Sequence, residues 1–283
     1  MSFTLRVCLF AVGCAALLPV AARADEAEVH YRMCLSHKKA GKLVDAEREC
    51  KDAISRRGDH GAAYYSLASI QRQTGQLEDA LTNFRKVRDL EAKSAIGWAG
   101  EGSVLLRLNR IDEAVIALKQ AVALDPNDTT SVGNLGNALR KQKKPDEAIA
   151  MYQKALEKNP DDVELRNNLG VALRDQRRNA EAIAQFEKAL AKKPGDPSFE
   201  GNLAKALRAE KRYADAIPHY EAAIKGGDDK DPGLWFDLGY SYEQTQQKDK
   251  ALEAYRRHLA LIRGTDAKGA EHVEEVIQKL EGK

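Results

Sequence analysis

Two histidines and two cysteines near the start of the chain are the residues best suited to chemistry. His30, Cys34 and His37 stand at i, i+4 and i+7, so they would share one face of a helix. Cys50 follows in the segment expected to form the next helix. Two Cys and two His are a ligand set that zinc accepts, although this spacing is not a known zinc signature. The two cysteines could instead form a disulfide or remain buried thiols, and the residues alone leave these three alternatives open.

The rest of the chain carries no pattern of catalytic residues. It contains no Cys-x-x-Cys-His haem attachment site, no phosphate-binding loop and no His-Glu-x-x-His zinc helix. The other histidines are scattered, and paired acids stand at expected helix starts, where capping explains them. We therefore predict that the protein is not an enzyme and binds no cofactor, with a metal site at the histidines and cysteines as the less favoured alternative.

An alanine recurs along the chain at a nearly constant interval. The positions are Ala46, Ala80, Ala114, Ala148, Ala182, Ala216 and Ala251. A period of about 34 residues is typical of stacked repeats, each of which contacts only its neighbours. Small, large apolar and aromatic residues recur around each alanine at helical spacing, which predicts two helices per repeat. Pro126, Pro160 and Pro194 would end the second helix, and the acids that follow would cap the next one.

This register of small, aromatic and proline positions resembles that of the tetratricopeptide repeat family. The clearest copies are residues 129–159, 163–193 and 197–225. The resemblance implies an all-α fold, a right-handed superhelical solenoid of helix-turn-helix repeats. We assign seven repeats to residues 25–265, and a C-terminal capping helix and tail to residues 266–283, because the end of a solenoid needs a cover.

The third repeat departs from the pattern at three positions. Gly97 and Gly100 lie in its first helix, where each costs roughly 1 kcal/mol relative to Ala. They could form a hinge or admit a bulky ligand, and local sequence drift would explain them equally well. Glu101 occupies a position that is apolar in the other repeats.

In tetratricopeptide arrays the first helices of successive repeats line a concave groove, and polar residues fall at the positions that would face it. Asn134, Asn168 and Asn202 recur at the same interval as the alanine. This row resembles the asparagine ladder with which some superhelical members hold peptides, because an amide can pair with both the N–H and the C=O of a peptide. The alternative is a solvated helix face without a ligand.

Basic and amide residues accompany this row. They are Asn137, Arg140, Arg174, Lys205 and Arg208. Arginine captures carboxylates well, so the implied ligand is an extended segment that is acidic or ends in a free carboxylate. Asn137 and Asn168 also match two positions of the family's carboxylate clamp. The basic partners of that clamp would fall at Gly133 and Asn202, so the clamp is incomplete.

The resemblance also bears on the cysteines. In the family, the positions held by Cys34 and Cys50 face each other across a helix pair, which favours a disulfide over a metal site or free thiols. A disulfide suits an exported chain, because export leads to an oxidising compartment.

The segment before Asp25 reads as an export signal. Arg6 precedes an uncharged stretch, residues 7–22, and Ala22-Arg23-Ala24 is a small-x-small motif. We predict cleavage between Ala24 and Asp25, with an uncut anchor or lipidation at Cys14 as alternatives. Cleavage removes two arginines and no acid, so basic and acidic residues then balance and the charge gives no reason to expect nucleic acid. No later segment is apolar enough to span a bilayer.

Together these features predict a periplasmic or secreted scaffold that binds a protein or peptide partner in its concave groove. Its role would be that of an adaptor in envelope assembly or secretion. The alternatives are a regulatory or accessory subunit of an enzyme complex, and a thiol or metal protein that uses the first repeat.

Overall fold

The structure, a computed structural model, describes residues 20–282, and all regular structure within them is helical. Most of the predicted signal segment, residues 1–19, lies outside the described residues. The expected cleavage point between Ala24 and Asp25 falls within the first helix. In the described part of the chain, no helix is both long and apolar enough to cross a membrane. The chain forms two compact units, whose boundary in the sequence lies between Asn109 and Arg110.

The first unit contains five described helices. They are α1 (Val20–Lys39), α2 (Leu43–Arg56), α3 (Gly61–Thr74), α4 (Leu77–Leu90) and α5 (Ala95–Arg107). Each helix packs against the next one in the chain. In addition, α1 contacts α3, and α3 contacts α5. This is the arrangement of stacked helix pairs that the periodicity predicts.

The second unit contains ten described α-helices. They are α6 (Ile111–Leu124), α7 (Thr129–Lys141), α8 (Pro145–Lys158), α9 (Val163–Asp175), α10 (Asn179–Lys192), α11 (Pro197–Ala209), α12 (Tyr213–Ala223), α13 (Pro232–Gln244), α14 (Lys248–Ile262) and α15 (Ala267–Glu281). An irregular turn, Ile224–Asp228, follows α12, and its Gly227 has a φ of 122°. Consecutive helices again pack in order, and α15 lies on α14 with Val273 and Ile277 buried. The predicted all-α fold of sequentially packed helices is confirmed.

Aspartates begin the first helix of each pair in the second unit. Asp128, Asp162, Asp196 and Asp231 each accept a hydrogen bond from a backbone N–H of the first turn, over 2.8 to 3.3 Å. These bonds satisfy donors that the helix itself cannot pair, and the negative charge suits the positive end of the helix dipole. A short acidic segment after each repeat therefore fixes where the next helix starts.

The recurring alanines form the centre of the core. All seven are fully buried, and the aromatic residue four positions later is buried as well in α4, α8, α10, α12 and α14. The α7–α8 pair shows why a small residue is needed opposite this ring. A Cβ added to Gly136 would lie 2.1 Å from the Tyr152 ring, so only glycine allows this approach.

The unusual glycines of α5 have the same explanation. A Cβ at Gly97 would lie 2.5 Å from the backbone nitrogen of Arg88, and one at Gly100 would lie 2.1 Å from the Phe84 ring. The close packing of α5 on α4 therefore requires glycine at both positions. The hinge and the bulky ligand considered from the sequence are not needed to explain them.

Glu101 is also explained by the neighbouring helix. Its buried carboxylate receives Arg85 at 2.8 Å and Arg88 at 2.9 Å, both from α4. The position therefore faces the preceding helix pair, where two arginines replace the usual apolar contact. Met33 holds the corresponding position in α1, and it is 41% exposed, so the same position in the first helix pair is not covered.

Candidate peptide-binding surface

The first helices of successive pairs in the second unit lie closer together than the second helices do. Direct contacts join α7 to α9, α9 to α11, and α11 to α13. In the described part of this unit, no such contact joins α8 to α10 or α10 to α12. The stack therefore bends toward the first helices. We call the surface of α7, α9 and α11 that carries Asn134, Asn168 and Asn202 the groove face.

Two of the three row asparagines share one hollow on the groove face. Asn134 and Asn168 line a cavity of about 420 Å³, together with Asn137 and Arg140. Gly133 leaves room for this arrangement, because a Cβ there would lie 3.2 Å from Nδ2 of Asn168. The lining is mainly polar, and both row amides are half-buried. The hollow thus offers amide donors and acceptors to a bound chain.

Asn202 lies in a different environment. It lines a separate cavity of about 190 Å³ with Lys205. Its Nδ2 donates to Oδ1 of Asn167 at 2.9 Å, and its Oδ1 accepts from Nη1 of Arg174 at 3.2 Å. An amide has two N–H donors and two lone pairs, so one of each remains for a ligand. The third member of the row is therefore held in place by its neighbours.

Three of the four predicted basic residues already have a carboxylate partner. Arg140 contacts Asp175 at 2.5 Å, Arg208 contacts Asp237 at 3.3 Å, and Lys205 contacts Asp231 at 3.7 Å. These three pairings were not predicted from the sequence. Asp175 lies 35 residues after Arg140, about one repeat away, so a search for opposite charges at the repeat spacing would have found it.

Asp237 is the most deeply placed of these acids. Burial raises the pKa of its carboxyl, while the positive charges of Arg208 and Lys205 act in the opposite direction. The hydroxyl of Tyr220 also donates to Oδ2 of Asp237 at 3.3 Å. This end of the groove face is therefore an internally satisfied network, with less capacity for a ligand than the α7–α9 end.

Arg174 differs from the other three basic residues. Its one hydrogen-bond partner among the described residues is the neutral Asn202, and no carboxylate there forms an ion pair with it. Burial lowers the pKa of its guanidinium most, and nearby Arg140 acts in the same direction, whereas the charges of Asp175 and Asp237 act in the opposite direction. A half-buried guanidinium without a directly bonded carboxylate favours an anionic ligand, because a carboxylate would replace lost hydration with charge-assisted hydrogen bonds.

The repeat register and the helix packing agree with a comparison against protein families. The tetratricopeptide repeat model matches residues 31–89, 71–129, 134–197 and 202–266. The chain belongs to the tetratricopeptide repeat family. This family consists of protein–protein interaction scaffolds, so a protein or peptide is the class of partner that membership implies.

Solved structures of other tetratricopeptide proteins share this fold. A Parabacteroides merdae protein has 17% identity and a TM-score of 0.69, covering 91% of this chain and 99% of its own. The C-terminal part of a repeat protein from Cytophaga hutchinsonii has 20% identity and a TM-score of 0.60, covering 86% and 98%. A Thermus thermophilus protein has 23% identity and a TM-score of 0.53, covering 64% and 99%. No significant match was found among curated proteins.

The state of the two cysteines decides among the zinc site, the disulfide and the buried thiols considered for the first repeat of this tetratricopeptide protein. Cys34 and Cys50 form a disulfide between α1 and α2, with their Cα atoms 5.3 Å apart. Because both sulfurs are bonded to each other, the zinc site built from these cysteines with His30 and His37 is wrong. The disulfide lies in a buried apolar cluster.

His30 has a partner that the sequence analysis missed. Its Nδ1 lies 2.7 Å from Oε2 of the buried Glu49, and Asp52 stands within 4.8 Å of both. The other Glu49 oxygen accepts from Arg48 at 3.2 Å. These hydrogen bonds lower the pKa of the Glu49 carboxyl, the one from His30 most of all. The histidine therefore joins α1 to α2 as part of the packing.

Proposed function

We propose that this protein is a scaffold whose groove face binds an extended segment of a partner, either acidic or ending in a free carboxylate. The observation that carries this proposal is the guanidinium of Arg174, which has no direct ion pair among the described residues and lies on α9, one of the two helices that line the polar hollow. A peptide laid along the groove face would meet the amides of Asn134 and Asn168, and its carboxylate would meet Arg174.

The contacts available predict a modest affinity. A neutral hydrogen bond contributes about 1 kcal/mol net, and one to a charged group about 1.5–3 kcal/mol. Two open amides and one guanidinium would therefore supply a few kcal/mol, before further contacts are counted. A binding free energy of about 4 kcal/mol corresponds to a dissociation constant of roughly 1 mM, so these contacts alone predict weak binding, as suits a scaffold that exchanges partners.

We also propose that the protein is exported and works in the periplasm or outside the cell. The leader motif before Asp25 supports export, and the Cys34–Cys50 disulfide suits an oxidising compartment. An adaptor in envelope assembly or secretion fits this location. Intact-mass measurement of the protein from its native host tests the proposal, because a cleaved chain must begin at Asp25.

An array of synthetic peptides of about eight residues tests the ligand class. The peptides differ in acidic content and carry either a free or an amidated C-terminus. We expect the full-length protein to prefer acidic or free-carboxylate peptides. Changing Arg174→Gln should remove this preference, and Asn168→Ala should weaken all binding, with losses of about 1–3 kcal/mol.

Arg257→Gln is the matched control, since Arg257 is exposed on the second helix α14 and forms no ion pair among the described residues. It should bind like the original protein. Chemical denaturation should show that Asn168→Ala and Arg174→Gln change the free energy of unfolding by no more than about 1 kcal/mol. Equal binding of acidic and neutral amidated peptides by the original protein would contradict the proposal.

A further inference from the structure

An apolar cleft opens on the second-helix side of the second unit, away from the groove face. It lies between α6 and α8, and α7 forms its floor through Val132 and Leu135. Val122 of α6 and Met151 of α8 contribute to its walls, and the cavity measures about 490 Å³. We call it the α6–α8 cleft. Its lining is mostly apolar, in contrast to the polar hollow on the groove face.

The corresponding space in the next two helix pairs is bridged by polar side chains. In each pair, a residue of the first helix faces a residue of the second helix, and the two facing positions are equivalent in the repeat register of both pairs. In α9–α10 they are Arg166 and Gln185, which are hydrogen-bonded at 3.3 Å. In α11–α12 they are Glu200 and His219, which approach to 2.5 Å.

The α7–α8 pair departs from this pattern. The same two positions hold Val132 and Met151, which cannot form a polar bridge, and both line the cleft. Arg166 also donates to the carbonyl of Pro160, so its side chain covers the preceding turn. The apolar replacement in α7–α8 therefore leaves the cleft without the polar bridge that α9–α10 and α11–α12 form. Val132 and Leu135 are themselves buried, so the accessible apolar lining belongs mainly to Val122, Ala123 and Met151. An apolar hollow left open in this way favours a docked partner.

Three lysines stand around the α6–α8 cleft. Lys119 lies on α6, and Lys154 and Lys158 lie on α8. All three are exposed, and none has an ion-pair partner among the described residues. The positive charges of these lysines on both walls favour a ligand that has an apolar stripe with negative charge on each side of it.

We propose that the α6–α8 cleft binds an amphipathic helix of a partner protein, with large apolar residues on one stripe and acidic residues beside it. A helix fits because it satisfies its own backbone hydrogen bonds, whereas the walls are side chains of helices and offer few free backbone groups. Lysines on both walls fit two acidic edges better than they fit one lipid headgroup. This surface is independent of the groove face.

A designed peptide tests the proposal on the full chain. The probe is a fluorescein-labelled helix of about 16 residues, with leucines at i, i+3, i+4 and i+7 and glutamates beside them. A second peptide carries lysine in place of every glutamate. Fluorescence anisotropy should show binding of the glutamate peptide, and the lysine peptide should bind about tenfold more weakly or less.

The chain supplies its own blocking variant. Val132→Arg with Met151→Gln transplants the bridge of α9–α10 into α7–α8, so it should fold while covering the cleft. We expect the glutamate peptide to bind this variant about tenfold more weakly. Lys154→Glu with Lys158→Glu changes exposed residues alone and should reverse the preference between the two peptides. Arg174→Gln, on the groove face, should leave the affinity within about twofold.

Two outcomes would overturn the proposal. One is equal affinity of the original protein for both peptides, or no measurable affinity for either. The other is full affinity for the glutamate peptide in both cleft variants. Vesicles of phosphatidylglycerol provide a further arm, since lysine-dependent binding to vesicles without binding of the glutamate peptide would assign the cleft to a lipid surface instead.

Discussion

Arg140 and Arg174 hold the same position in successive repeats, yet the fold gives them different capacities. Arg140 is paired with Asp175 across the α7–α9 contact, whereas Arg174 contacts the neutral Asn202. The difference comes from the next repeat. The residue one repeat after Asp175 is Ala209, which has no carboxylate to offer. A single side chain therefore decides which guanidinium is left for a ligand.

Removing that carboxylate should add binding capacity. In Asp175→Asn the guanidinium of Arg140 loses its counter-ion beside the α7–α9 hollow, so we expect acidic peptides to bind up to about 1 kcal/mol more tightly. Because the Arg140–Asp175 pair is partly exposed, unfolding free energy should change by less than about 1 kcal/mol. Anisotropy titrations with acidic and neutral peptides measure the gain. An equal gain for neutral peptides would show that charge is not its cause.

The α7–α8 pair depends on close approach at a glycine. In α7–α8, Gly136 lies under the Tyr152 ring, whose hydroxyl donates to the carbonyl of Gly133 at 3.2 Å. Gly201 of α11 has a looser surrounding, since a Cβ there would lie 3.4 Å from Leu234. Substituting these two glycines by alanine therefore distinguishes two effects: overpacking at Gly136 and the gain in helix propensity at Gly201.

Alanine substitutions at these two glycines should act in opposite directions. Gly136→Ala should lower the free energy of unfolding by about 1–3 kcal/mol, because the tyrosine ring must move. Gly201→Ala should raise it by up to about 1 kcal/mol, because alanine favours the helix and fits the space. Urea denaturation of the two variants and the original protein compares them. Stabilisation by Gly136→Ala would show that the helix pair is more loosely packed than described.

At the scale of the whole molecule, each described helix contacts near neighbours in the sequence, so a local change should have local consequences. The disulfide joins the first two helices, which have a neighbour on one side within the described residues. In the chain-entropy model, closing a loop of this length adds about 3 kcal/mol of stability. This contribution should be concentrated where the stack begins.

Hydrogen exchange of Cys34→Ser with Cys50→Ser tests this locality. Amides of α1–α3 should exchange faster, because the free energy of opening this region should fall by at most about 3 kcal/mol. Amides of α5 should keep their original rates, because among the described residues α5 contacts neither α1 nor α2. Reductant should reproduce the change in the original protein and have no effect on the variant. Faster exchange throughout the chain would instead indicate one cooperative unit.

The sequence by itself determined the helices and their core. The recurring alanine, the aromatic four residues later and the aspartate caps are local in the chain, and helical geometry converts their spacing directly into burial. It also placed Cys34 and Cys50 at facing positions once the tetratricopeptide register was seen. Asn134 and Asn168 could be named for the same reason, since a regular stack brings equivalent positions to one face.

Only the tertiary structure decided which of these residues are available. Pairs such as Arg140 with Asp175, or His30 with Glu49, join residues 35 and 19 positions apart, and helix spacing does not specify them. The glycines of α5 are explained only by their close contacts with the Phe84 ring and the Arg88 backbone of α4. The α6–α8 cleft exists because Val132 and Met151 do not form the bridge found in the next two pairs. Burial follows from periodicity within a helix, whereas partnership and open space depend on the side chains that neighbouring helices place against each other.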